Sequence, residues 1–210
     1  LSHLVTQEDA ALAERDETVG PEALDRLFRE ARTATAFASR PVSRETLVEL
    51  YDLLKLGPTS GNCSPARFLF LTTEDARRRL HPALSPGNVA RCDAAPVVVV
   101  VCHDPLFFEH LPRLNTEAGL RDWFAADVGL SEETAFRNGT LQGGYLLMAA
   151  RALGLAVAPM SGFDAFAVED GLLADTGWRA NFLVALGYAE GAEKSARAPR
   201  LAFDEACLCL

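Results

Sequence analysis

Hydrophobic positions recur along this chain at two periods. Behind Gly20-Pro21, the residues Leu24, Leu27, Phe28 and Ala31 fall at helical spacing, and proline suits a first helical turn, so a helix is predicted that delivers the stretch EARTATAF. A second helix, capped by Ser43, carries the stripe Leu47, Leu50, Tyr51, Leu54 and stops at Gly57-Pro58. A run of small, polar and turn-forming residues comes next, before the strand RFLFLT. Helix-to-strand connections usually need only about 2 to 6 residues, so this loop is long for a mere link. A charged helix then carries Arg77, Arg78 and Arg79 as a solvated face and leads to the turn-rich HPALSPGN.

APVVVVVC is apolar and β-branched on both faces, which predicts a central strand covered on both sides. Its valines contribute on the order of 10 kcal/mol of gross burial at about 2 each. Residues 103–130 mix Pro, Gly and aromatics without lasting periodicity, predicting a mobile excursion near a ligand or partner. Ser131 is then expected to cap a long helix that ends at Gly154. Gly139, Gly143 and Gly144 within it each cost about 1 kcal/mol relative to alanine, so another backbone should approach closely, within the subunit or across a dimer. A strand LAVAP, the turn MSGFD, a helix over 165–174, a strand NFLVALGYA and a basic tail EKSARAPRL complete the chain. Helices outnumber strands and the crossovers are irregular, so the expected class is α+β, a sheet wrapped by helices. Neither GxGxxG after the first strand nor GxxxxGK[ST] is present, which argues against a Rossmann dinucleotide site and a P-loop.

Composition narrows the classes. No linker divides the 210 residues, so one domain is expected over 20–210, with 1–19 as a polar extension outside the core. A net charge of -9 argues against wrapping nucleic acid. The longest strongly apolar run, 94–102, is far short of the roughly 20 residues that span a bilayer. No basic-then-apolar leader opens the chain, and a soluble, cytoplasmic protein is expected. Five cysteines without a CxxC pair fit reduced thiols.

Against this acidic background three groups suit one anion site. These are Arg32 with Thr33, the loop Thr59-Ser60-Gly61-Asn62, and Lys194, Arg197 and Arg200 in the tail. The alternative is scattered surface charge. His103, Asp104, Glu109 and His110 lack an HxxxH or HExxH spacing, so no metal is expected, and Cys63-Ser64 has no GxSxG elbow to make a nucleophile. His81 reads as structural.

Taken in order, ARTATAF, GPTSGNCSPARF, EETAFRN, ALGLAVAPMSGFD and RAPRLAFDEAC resemble the nitroreductase family of FMN enzymes over residues 22–210. NCSPAR, EETAFRN and PMSGFD resemble its malonic semialdehyde reductase branch, used in pyrimidine catabolism. The resemblance implies a mainly antiparallel sheet wrapped by helices. It also implies an intertwined homodimer with FMN in two interfacial clefts and a C-terminal arm embracing the partner. It places Pro58, Thr59, Ser60 and Asn62 against the neighbouring chain's flavin. Arg32 and Thr33 would meet the phosphate and ribityl chain, with Arg197 and, beside it, Lys194 at the phosphate. Pro159, Met160, Ser161 and Gly162 would form the turn over the reactive ring edge, and Asn88 would touch the ribityl chain or pyrimidine. Thr35 stands where many members have a second basic residue, Ser161 where many have Glu, and Ser64-Pro65-Ala66 where many have Gln-Pro-Trp or Gln-Pro-Phe. NAD(P)H would be the co-substrate, with Arg67 or Arg137 pairing a substrate carboxylate unless each sits in a structural ion pair. The rival readings are a broad nitro or quinone reductase and a flavin- or anion-binding protein without turnover.

Overall fold

The computed structural model describes residues 18–191 and 196–210. The chain divides into two compact units, Leu1–Ala31 and Arg32–Leu210. In the first, helix α1 (Pro21–Leu24) starts with proline as the sequence predicts and widens into a π turn over Asp25–Arg29.

The second unit is built on a four-stranded sheet. Its elements in chain order are α2 (Arg44–Leu54), β1 (Ala66–Leu71), α3 (Glu74–Arg78), α4 (Pro86–Ala94), β2 (Val97–His103), α5 (Leu111–Leu114), α6 (Leu120–Ala125), α7 (Val128–Ala152), β3 (Ala156–Met160), α8 (Ala165–Val168), β4 (Arg179–Gly187) and α9 (Phe203–Ala206). The strands run in the order β1-β2-β4-β3 and every pairing is antiparallel. All seven residues of β2 are buried, as a centre strand requires.

Two cores lie on the two faces, and the period-2 alternation of the strands separates them. Val98, Val100, Cys102, Ala158, Leu183 and Ala185 pack with Leu80, Leu84 and Cys92. Val97, Val99, Val101, Val157, Val184 and Leu186 pack with Leu50 and Leu54 of α2 and Leu146 and Ala150 of α7. Gly139 and Gly143 let α7 lie on the sheet. A Cβ at Gly139 would sit 2.9 Å from His103 Cβ, and one at Gly143 would sit 2.5 Å from the Phe182 ring. Gly144 meets open space.

Three expectations change. Residues 103–130 are folded into short helices that bury Phe107, Phe108, Leu111 and Phe124 with Cys63 and Ala135 in a third core. Aromatic packing, with Phe107 and Phe124 centroids 4.9 Å apart, holds this segment where no periodicity announces it. The long helix starts earlier, because Asp127 accepts the Leu130 N–H (3.0 Å) as its cap. Ser131 is buried inside it and donates to Pro105 O (2.7 Å). The stretch HPALSPGN includes the start of α4, with Pro86 in its first turn. Among the described residues no helix is long and apolar enough to cross a membrane.

Candidate functional site

The loop between α2 and β1 begins at Gly57, whose missing side chain admits Tyr145: a Cβ there would lie 2.6 Å from its ring. Beyond it the backbone turns left-handed at Gly61 (φ 56°), Asn62 (φ 52°) and Ser64 (φ 40°). For the two non-glycine residues that conformation costs on the order of 1 kcal/mol each. Side chains hold it there. Ser64 N–H donates to Thr59 Oγ1 (3.1 Å), Ser60 N–H to Asn138 Oδ1 (2.9 Å) and Ala66 N–H to Gln142 Oε1 (2.9 Å). From the other side, two asparagines form a reciprocal clasp: Asn62 Nδ2 donates to Leu114 O (2.7 Å) and Asn115 Nδ2 to Gly61 O (2.8 Å). Arg67 spans the loop's end, donating to Ser64 O (3.0 Å), Ala66 O (2.9 Å) and the Asp104 carboxylate (2.8 Å). Cys63 is fully buried, and burial pushes its thiol up to about 11, so it is no nucleophile near neutral pH.

The second group of residues gathers around β3. Ala34 N–H donates to Val157 O (3.0 Å), which lays the segment after Arg32 and Thr33 along this strand. Around the strand's end Pro159 and Ser161 are exposed while Met160 is buried. Gly162 O accepts both Asn88 Nδ2 (2.9 Å) and Ser85 N–H (3.0 Å), and a Cβ on Gly162 would meet Asn88 Nδ2 at 2.8 Å. Asn88 thus stitches the turn. A Leu84–Phe163 bridge and an Asp164 cap on Ala167 N–H (3.2 Å) fix the chain on its way into α8. At the end of α7, burial and then the charge of Arg197 hold Arg151 below its ordinary pKa. Arg200 donates to its neighbours Ala198 O and Pro199 O. Lys194 lies outside the described residues.

The residues singled out from sequence therefore form two sets. Arg32, Thr33, Asn88 and 159–162 belong to the β3 edge of the sheet; Pro58, Thr59, Ser60 and Asn62 precede β1 at the other edge. Three interstrand spacings of about 4.8 Å separate those edges by roughly 14 Å. Of the two arginines considered for substrate, Arg67 is held by Asp104, the side chains 18% and 15% exposed, and Arg137 pairs with Glu133 one helical turn away on the surface. Sequence reasoning does not reach Asn115, Asn138, Gln142 or Arg151. A polar amide at a core-facing position of α7 is the available signal for Asn138 and Gln142; nothing in the local pattern marks Asn115. Among the described residues no His/Cys/Asp/Glu group is suited to a metal ion.

No family model matches the chain. A protein of Xanthomonas oryzae pv. oryzae (strain PXO99A) named "Putative NADH dehydrogenase/NAD(P)H nitroreductase" is 54% identical over 184 residues, 88% of this chain and 94% of that one. Among solved structures, a "putative nitroreductase in complex with FMN" from Exiguobacterium sibiricum 255-15 superposes with a TM-score of 0.75 at 17% identity, covering 90% of this chain and 98% of that one. A "putative NAD(P)H:FMN oxidoreductase" of Staphylococcus epidermidis ATCC 12228 gives 0.78 at 18%, covering 92% and 98%. At those identities the two structures speak to fold.

Proposed function

The chain belongs to the nitroreductase family, and from that premise we propose an FMN-dependent NAD(P)H oxidoreductase that reduces malonic semialdehyde to 3-hydroxypropanoate. The observation that carries the reading is the division of the candidate residues between opposite sheet edges. One chain's loop at 58–62 and its turn at 159–162 lie at opposite edges of its sheet, and in a homodimer each chain would supply one of the two to a shared pocket. Exposed apolar side chains support such an assembly: Phe136, Leu141 and Tyr145 on α7, and Leu201, Phe203 and Leu208 in the C-terminal stretch, which would embrace the partner.

The residues fit a flavin mononucleotide. Arg151 and Arg197, like charges close enough to perturb one another, favour a phosphate between or beside them. Arg32 and Thr33 would add a charged and a neutral donor, with Lys194 beside Arg197. The turn at 159–162, exposed at Pro159 and Ser161, would face the ring, and Ser60 and Asn62 of the neighbouring chain would close the other side. Bound FMN would supply the hydride chemistry between NAD(P)H and the aldehyde in a ping-pong cycle, with the proton for the aldehyde oxygen coming from water.

A second reading, a broad nitro or quinone reductase, is favoured by one observation. Arg67 and Arg137 are both engaged in ion pairs, so neither offers itself to a substrate carboxylate. Comparing kcat/KM for malonic semialdehyde and a quinone decides between them, and a quinone preferred by more than about tenfold overturns the aldehyde assignment. Purified protein should be yellow and bleach when NAD(P)H is added without air, and light scattering should give twice 22.7 kDa. Colour without bleaching would point to a binder without turnover.

A further inference from the structure

We propose that Asn138 and Gln142 of α7 are positioning residues that hold the strained loop before β1 in the shape in which it meets the neighbouring subunit's cofactor; the last clause rests on the FMN reading above. Buried polar side chains are few here. Among the described residues they are His103, Ser131, Asn138 and Gln142, each no more than 6% exposed. Three of them lie on α7, seven and then four residues apart, which sets them along one stripe of the helix. Every one of the three is spent on a backbone group of another segment. Ser131 donates to Pro105 O, Asn138 accepts from Ser60 N–H, and Gln142 accepts from Ala66 N–H. The Asn138 amide is also oriented from behind, because its Nδ2 donates to Thr134 O (2.9 Å) and so turns Oδ1 toward the loop.

Stability is one part of their role, since an apolar side chain at 142 would leave the buried Ala66 N–H without a partner and one at 138 would do the same to Ser60 N–H. What the amides add is location. The two anchored N–H groups, at Ser60 and Ala66, bracket the left-handed residues Gly61, Asn62 and Ser64. Freed of those anchors, Asn62 and Ser64 would relax toward ordinary negative φ, and the exposed face of the loop would change. The anchoring also has a consequence for recognition. The Ser60 N–H is consumed inside its own subunit, so the loop must meet a ligand through the Ser60 hydroxyl, the Asn62 carbonyl oxygen and its outward main chain.

The test uses the full chain and two readouts. Asn138→Leu should raise amide hydrogen exchange at Ser60 in the FMN-free protein by about tenfold or more, Gln142→Leu should do so at Ala66, and both should weaken FMN affinity, read by flavin fluorescence, by about tenfold. Ser131→Ala, which removes a polar group from the same stripe away from the loop, should leave FMN affinity within about twofold while losing similar stability. Asn138→Asp, whose protonated carboxyl can keep both hydrogen bonds, should restore slow exchange at Ser60 and guards against a leucine variant that does not fold. Unchanged Ser60 exchange in Asn138→Leu, or Ser131→Ala weakening FMN as much as Asn138→Leu, overturns the inference. Wild-type protein that takes up no FMN overturns the cofactor reading and the ligand half of this inference, while Ser60 exchange still decides whether Asn138 holds the loop.

Discussion

The loop before β1 and the turn after β3, assigned to one site by the proposed function, are held in different ways. Around the turn, backbone conformations are ordinary for every non-glycine residue, and Asn88 with Ser85 gathers the single carbonyl of Gly162. Around the loop, two non-glycine residues are left-handed, and amides from α7, Asn115 and the Arg67 guanidinium all bond to it. The turn keeps ordinary backbone and is stitched by remote residues at one carbonyl, whereas the loop is held in a left-handed course by contacts from several sides. If the loop meets a second chain as proposed, the second arrangement favours it, because the loop's shape is fixed before binding.

The contrast can be broken most forcefully at Arg67. Its pair with Asp104 is largely out of water and it also serves two loop carbonyls. Arg67→Ala strands a partly buried carboxylate and should lower stability by about 2 kcal/mol, measured by urea unfolding. A loss near zero would mean that the loop supports itself and the contrast is false. Next in size is Gly162→Ala, whose new methyl meets Asn88 Nδ2 at 2.8 Å. It should cost about 1 to 2 kcal/mol, and the double variant with Asn88→Ala should cost less than the two single losses added together, because each change removes the same stitch.

How much of this can be read from the chain obeys the same division. The turn at 159–163, the strand before it and the valine run of β2 are local: proline, glycine and β-branched periodicity specify them, and the structure has them where the sequence predicts. The long helix is legible too, but its start is not. Asp127 competes with Ser131 for the cap, and Ser131 is instead drawn into the interior by Pro105 O. Residues 103–130 defeat a periodicity argument because aromatic contacts between short helices, rather than a repeating stripe, bury them. The candidate loop is visible as a long, turn-rich connection with Thr59, Ser60 and Asn62. Its anchors are invisible, since Ser60 and Asn138 are 78 positions apart and nothing at either end announces the other.

A subtler comparison replaces serine by glycine in each half. At Ser64 the change removes about 1 kcal/mol of left-handed strain and adds about 0.5 to 1 kcal/mol of unfolded-chain entropy, so stability should move by only a few tenths. At Ser161, where φ is not positive, only the entropy remains, and glycine should cost about 0.5 to 1 kcal/mol. Equal losses at the two sites would show that Ser64 carries no strain.

The gentlest probe is pH. His103 faces Ala66 across the β1–β2 ladder, lies beneath Gly139, and has a buried Nδ1 without a hydrogen-bond partner among the described residues. Burial pushes its pKa down. Of the charges around it, Glu132 (Oε2 3.8 Å from Nε2), Glu169 and Asp104 oppose that shift and Arg179 adds to it. A histidine that is harder to protonate when folded lets the unfolded chain bind the extra proton. Its contribution is therefore complete above the ordinary histidine value of about 6.5 and is lost as pH falls from there through the depressed folded pKa. The Tm of the wild type should decline more steeply with acidification below that value than the Tm of His103→Gln. Parallel curves would mean that His103 takes up its proton as readily in the fold as in the open chain. The wall between α7 and the loop's strand would then be wetter than the buried Nδ1 indicates, and the anchoring of the β1 edge correspondingly looser.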